Sequence, residues 1–137
     1  MQPIDPLNRP ETGAIIDFRY LARKDADSAS SAPPGKCPCL IWNVRAIEAL
    51  HPVAVLPILS GATGARVAIR PAERRALGLE ETADVVFEET NIFLWPGPHL
   101  QPQADRSLIK TPRASKQLLE EIAAGMTGRA CDIIFRP

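Results

Sequence analysis

Apolar and polar residues alternate along residues 13–21, where Asp17 and Arg19 separate Ile16, Phe18 and Tyr20. A period of two predicts a half-buried strand, with Asp17 and Arg19 sharing its polar face. The continuous apolar run Cys39-Leu40-Ile41-Trp42 follows a turn formed by Pro34, Gly35 and Lys36. It predicts a central buried strand over 37–47. A third strand is expected over 53–59, with Pro57 marking a strand end, an edge or a bulge. Residues 66–70 alternate again, with Val67 and Ile69 on one face and Arg66 and Arg70 on the other. Pro71 opens a short helix over 71–77 and Gly78 ends it. Two more strands are predicted at 84–88 and 91–95, the second stopped by Trp95-Pro96-Gly97-Pro98. A polar loop at 99–106 leads to a last short strand at 107–110. Thr111 as N-cap and Pro112 at the first helical position predict a C-terminal helix. Leu118, Leu119, Ile122, Ala123 and Met126 form its apolar face, and Gly125 and Gly128 end it. The tail, 129–137, reads equally as a strand or a docked extension. Residues 1–12 read as a loose lead-in and 22–36 as a long mobile loop.

This order predicts an α+β chain that is mainly β: a small barrel-like domain with a C-terminal amphipathic helix. At 137 residues the chain suits a single domain, 1–137, with its core over 13–126. Fourteen prolines favour short strands and irregular loops over long helices. Sixteen basic and sixteen acidic residues cancel, so no global charge points to nucleic acid or an anionic membrane. No apolar run approaches the roughly 18–20 residues needed to span a bilayer, and residues 1–10 lack the apolar core of a signal peptide. The expectation is a cytoplasmic protein without membrane contact. Three cysteines, Cys37, Cys39 and Cys131, argue against a disulfide framework. Cys37-Pro38-Cys39 has half the spacing of a metal site, but no second Cys/His pair accompanies it, so neither metal nor cofactor is expected. Cys39 reads as a small core hydrophobe.

Several segments, taken in order, resemble the MazF/PemK family of toxin–antitoxin toxins. They are the opening strand at 13–20; Gly35-Lys36-x-Pro38-x-Leu40-Ile41; Val55-Leu56-Pro57; Leu77-Gly78-Leu79; and the closing helix. The most specific is Glu89-Thr90-Asn91-Ile92-Phe93-Leu94-Trp95-Pro96-Gly97-Pro98. The resemblance implies an SH3-like barrel (MazF/PemK/CcdB-like), a homodimer, and a cognate antitoxin peptide as partner. It further implies metal-independent endoribonuclease activity on single-stranded RNA, in which the 2′-hydroxyl attacks the adjacent phosphate to leave a 2′,3′-cyclic phosphate.

The family's catalytic Arg and Thr fall on Cys37 and Leu59. A guanidinium grips phosphate with two hydrogen bonds and stabilises the charge of the phosphorane, and neither replacement does this. Lys36, Arg66, Arg70 and Glu89 are the candidate replacements, three as cations and Glu89 as general base. Arg19, Ser60 and Asn91 are the candidate RNA contacts. The plainer reading of each charge is a solvated or structurally paired group, and for Glu89 and Asn91 a turn cap. Trp42 and Trp95 read as core residues rather than base-stacking platforms. Two function classes follow: an endoribonuclease with a rearranged site, or a catalytically inactive family member acting as a binding or regulatory module. A remote third reading takes Arg66 to Leu94 as an AbrB-like DNA-binding hairpin.

Overall fold

The computed structural model describes residues 8–26 and 35–137. Among these, eight strands form one sheet and three short helices decorate it. In chain order the strands are β1 (Ile15–Phe18), β2 (Cys37–Val44), β3 (Pro52–Ser60), β4 (Arg66–Ala68), β5 (Ala83–Val86), β6 (Glu89–Leu94), β7 (Leu100–Gln101) and β8 (Asp132–Arg136). The helices are α1 (Arg23–Ala26), α2 (Pro71–Ala76) and α3 (Lys116–Met126). The sheet path runs β4-β5-β3-β2-β1-β7, and β6 joins it through β3. No ladder joins β4 to β7 among the described residues, so the sheet is open. The fold is mainly β, as its alternating patterns predict. No helix in the described residues is long and apolar enough to cross a membrane.

β3 is the hub. One edge pairs with β2 from Val53↔Val44 to Pro57↔Cys39, with a bulge near Trp42. The other edge is divided: 52–55 pair with β6, and 58–60 pair with β5. Thr90 Oγ1 donates to the Val55 carbonyl at 2.7 Å, which marks the β6 side. Backbone direction alternates along an antiparallel strand, so Val55 and Pro57 address the same edge. The N–H that Pro57 lacks would therefore point to the gap between β6 and β5. Pro57 does not end the strand, as one expectation had it; it sits where the strand changes partner.

Two apolar layers result. Ile15, Leu40, Leu56, Ile58, Val85, Phe87, Leu118 and Ile122 pack on one side of the sheet, with Trp42 against them. Ile16, Phe18, Cys39, Ile41, Val53, Val55, Phe93 and Trp95 pack on the other. Phe18 stacks on Phe93 with ring centroids 4.6 Å apart. Trp95 is buried and its Nε1 donates to the Asn8 carbonyl at 3.1 Å.

Several local expectations are corrected. All four residues of β1 are buried, Asp17 included, because both faces of the strand are covered. The 107–110 stretch forms only a single bridge, Lys110 to Ile15, while β7 arises inside the expected polar loop. Helix α3 begins four residues later than predicted: Ser115, not Thr111, is the N-cap, accepting from the Leu118 N–H at 3.1 Å. Glu73 from α2 fixes this start by accepting from the Ser115 N–H and hydroxyl at 2.6 and 2.8 Å. Gly125 lies inside α3 and does not end it; a Cβ there would come within 2.8 Å of the Phe87 ring, so glycine serves close packing. Residues 1–7 and 27–34, the greater part of the lead-in and of the expected mobile loop, lie outside the described residues.

The tail resolves as a strand, β8, parallel to β6. The buried Arg136 fastens it, donating to the Arg19 carbonyl and to Asn91 Oδ1 and lying 5.7 Å from the Phe18 ring centroid. Its Nη2 stands 3.1 Å from His99 Nδ1, which must accept. Burial, and then the Arg136 charge, hold the His99 imidazole below its ordinary range.

Two predictions follow from these contacts. Ser115→Ala is expected to cost about 1 kcal/mol in urea unfolding, and Thr111→Ala close to nothing. A His whose folded pKa is lowered stabilises the fold above its unfolded value of about 6.5, and that contribution is lost as pH falls from this value through the lower folded one. Denaturation midpoints are expected to drop as pH falls below about 7, and His99→Gln is expected to flatten the drop.

Candidate functional site

Two clefts meet where β2 begins and β3 ends. The first, of about 390 Å³, is lined by Asp17, Lys36, Cys37, Leu59, Ser60, Glu80 and Lys110 among others. The second, of about 580 Å³, includes Tyr20, Lys24, Asp25, Cys37, Pro57, Leu59, Glu88 and Glu89. Cys37 and Leu59 belong to both. The second cleft opens where β5 and β6 leave β3 on either side of Pro57. Gly64, next to the lining residue Thr63, has φ +89, and a Cβ there would clash with the carboxylate of Glu88, another lining residue, 2.4 Å away. Glu88 in turn accepts from the Ala65 N–H at 2.9 Å.

The centre of the first cleft is Asp17, whose side chain is 9% exposed. It faces Lys110 Nζ at 2.9 Å, Gln103 Nε2 at 3.2 Å and Lys36 Nζ at 3.9 Å. The polar face expected for β1 is thus an internal ion cluster, covered by the segment that carries Lys110. Lys110 was not among the sequence candidates. No local pattern marks it, since only the bridge to Ile15 brings it to the cleft. Two lysines face two carboxylates in this lining, Asp17 and Glu80. In the second cleft Lys24 faces three, Asp25, Glu88 and Glu89. Neither lining presents the excess of positive charge that concentrates a polyanion.

Of the other candidates, Lys36 and Ser60 line the first cleft and Glu89 the second. Ser60 donates to Glu80 at 2.7 Å. Glu89 accepts from the Arg23 N–H at 3.2 Å and, more distantly, from the Tyr20 hydroxyl at 3.4 Å. Burial first, and then Glu89, push the Tyr20 hydroxyl far above its ordinary range, so it stays a donor. The two other cations are drawn elsewhere. Arg66 pairs with Asp84 at 3.2 Å and Arg70 with Glu121 at 2.7 Å, and neither lines these clefts. Arg19 is exposed beyond the end of β1. Asn91 is fully buried, accepting from the Leu21 N–H at 2.8 Å and donating to the Leu21 carbonyl at 2.9 Å. It is a clamp on the chain leaving β1, and not an exposed RNA contact. The plainer reading of a structurally paired charge fits Arg66 and Arg70, whereas Asn91, inside β6, clamps Leu21 and does not cap a turn.

Cys37 Sγ lies 3.7 Å from Cys39 Sγ. The sulfur contact with Cys39 holds the Cys37 thiol below its ordinary range, while burial pushes Cys39 well up. Comparisons with protein-family models, with curated proteins and with solved structures found no match.

Asn91→Ala is expected to leave the Leu21 N–H and carbonyl without partners and to cost about 2–4 kcal/mol. Urea unfolding monitored by tryptophan fluorescence measures it. A loss below about 0.5 kcal/mol would contradict the clamp.

Proposed function

We propose that this chain is a MazF/PemK-like toxin-family protein, built on an SH3-like barrel, whose cleft has become a peptide-binding module without family-type RNA cleavage. One observation carries the reading. Cys37 and Leu59, the positions where the resemblance implies a catalytic Arg and Thr, stand together at the junction of the two clefts. Their nearness supports a shared site, and their side chains cannot grip or polarise a phosphate. Loss of one transition-state donor typically costs about 10²–10³ in rate, and here two positions are affected. Lys36 and Lys110 are the cations at hand, and both face Asp17. The acidic second cleft speaks against RNA as its occupant. The partner in this reading is a cognate antitoxin-type peptide, on a homodimer. Residues Arg66 to Leu94, the stretch with AbrB-like echoes, supply β4, α2, β5 and β6 to the sheet around β3, which speaks for one continuous domain.

The test is incubation of the purified protein with a long single-stranded RNA in EDTA, with analysis of the cut ends. The wild type is expected to leave the RNA whole. Cys37→Arg combined with Leu59→Thr is expected to raise cleavage by about 10²-fold or more, with 2′,3′-cyclic phosphate ends. Cleavage by the wild type would overturn the reading in favour of an active endoribonuclease using Lys36, Lys110 and Glu89. A folded but inert double variant would show that Cys37 and Leu59 do not occupy the family's catalytic positions.

A further inference from the structure

Alternate residues of a strand face the same way, so Cys37 and Cys39 present their thiols side by side at the start of β2, 3.7 Å apart. Their exposure differs. Cys37 is half-buried and lines both clefts, whereas Cys39 is fully buried behind it. Their pairing differs too. Cys39 lies opposite Ile16 on one edge and Pro57 on the other, while among the described residues Cys37 pairs with Phe18 alone and lies beyond the β3 ladder.

We propose that Cys37 and Cys39 are a dithiol couple: Cys37 is the thiol that meets small disulfides entering the cleft, and Cys39 is the thiol that resolves the adduct. In the first step the Cys37 thiolate attacks one sulfur of a low-molecular-weight disulfide such as oxidised glutathione. The S–S bond of the reagent breaks, one glutathione leaves as thiolate, and a mixed disulfide forms on Cys37. In the second step Cys39 gives its proton to the departing thiolate and attacks the Cys37 sulfur. The mixed disulfide breaks and the second glutathione leaves, so two protein thiols are oxidised and one reagent disulfide is reduced to two thiols.

The geometry permits closure and also gives it a consequence. Two residues along an extended strand have Cα atoms about 6.6 Å apart, near the upper end of the roughly 4.4–6.8 Å that a disulfide spans. Closure therefore draws in the first residues of β2. The strain falls on the Cys37–Phe18 pair at the strand end and on Cys39↔Pro57, the last pair of the β2–β3 ladder. Lys36 and Cys37 shift against Leu59, so oxidation remodels the lining shared by both clefts. The lowered Cys37 thiol supports the assignment of attacker, since the thiolate is the nucleophile. Cys131 is the internal control: burial, and then Asp132, raise its thiol.

The experiment treats the folded full-length protein with oxidised glutathione, alkylates the remaining thiols and maps them by peptide mass. The expected product is a Cys37–Cys39 disulfide with Cys131 free, formed equally by Cys131→Ser and fully reversed by dithiothreitol. Cys39→Ala is expected to stop at a glutathione adduct on Cys37. With a limiting alkylating agent at about pH 7, Cys37 is expected to react about tenfold faster than Cys131. A lasting glutathione adduct on Cys37 in the wild type would overturn the proposal, as would preferential reaction at Cys131 or disulfides only between chains. The wild-type peptide map decides the matter even where a Cys39 variant fails to fold.

Discussion

A β-strand has two hydrogen-bonding edges, and β3 divides one of them between two partners. That division organises the structure. β2 occupies one edge of β3, while β6 and β5 take successive halves of the other. The change falls at Pro57, where the backbone has no N–H to offer and an uninterrupted ladder would lose a bond in any case. β5 and β6 diverge there, and the space between them becomes the second cleft. The residues flanking the break, Leu59 on β3 and Cys37 at the adjacent start of β2, become the shared wall of both clefts. The break at Pro57 thus coincides with the candidate site.

The polar groups near this wall are mostly tied down. Asp17 gathers two lysines, Asn91 clamps Leu21, and Arg136 binds the end of β8 to the end of β1. Burying such groups is costly unless each is paired. The pairing stabilises the fold and ties these groups to one another, with Lys36 keeping most of its side chain in solvent. What stays reactive in the clefts is less the charged side chains than the thiol of Cys37. A phosphate-binding cleft would look different, with guanidinium groups free to turn inward. Here Arg66 and Arg70 are engaged by Asp84 and Glu121.

Strand identities were legible because their signals are local. The apolar run at 39–42, the alternation at 66–69 and the aromatic segment before Pro96 each depend on neighbours in sequence, and the strands appear there within a few residues. The short helix from Pro71 was legible for the same reason. The errors fall where a distant residue decides. Thr111-Pro112 carries a helix-start signal, yet Glu73 binds Ser115 and moves the start. Gly125 carries a helix-stop signal, yet the Phe87 ring occupies the room a side chain would need. Asp17 lies in an alternating pattern that means half-exposed, yet the Lys110 segment covers it. Of the candidate residues, Lys36, Ser60 and Glu89 reach the clefts, together with Cys37 and Leu59. Lys110 was invisible, being an ordinary lysine in a polar stretch.

By itself the sequence determined the mainly-β class, the residues able to enter the core, and the missing donor at Pro57, because side-chain polarity and backbone chemistry belong to each residue wherever it lies. Tertiary structure alone decided which polar groups are buried and paired, that the tail is a parallel partner for β6, and that Cys37 and Leu59 share a wall. These depend on contacts between residues tens of positions apart, and no periodicity in a chain encodes which distant segment will cover a given face.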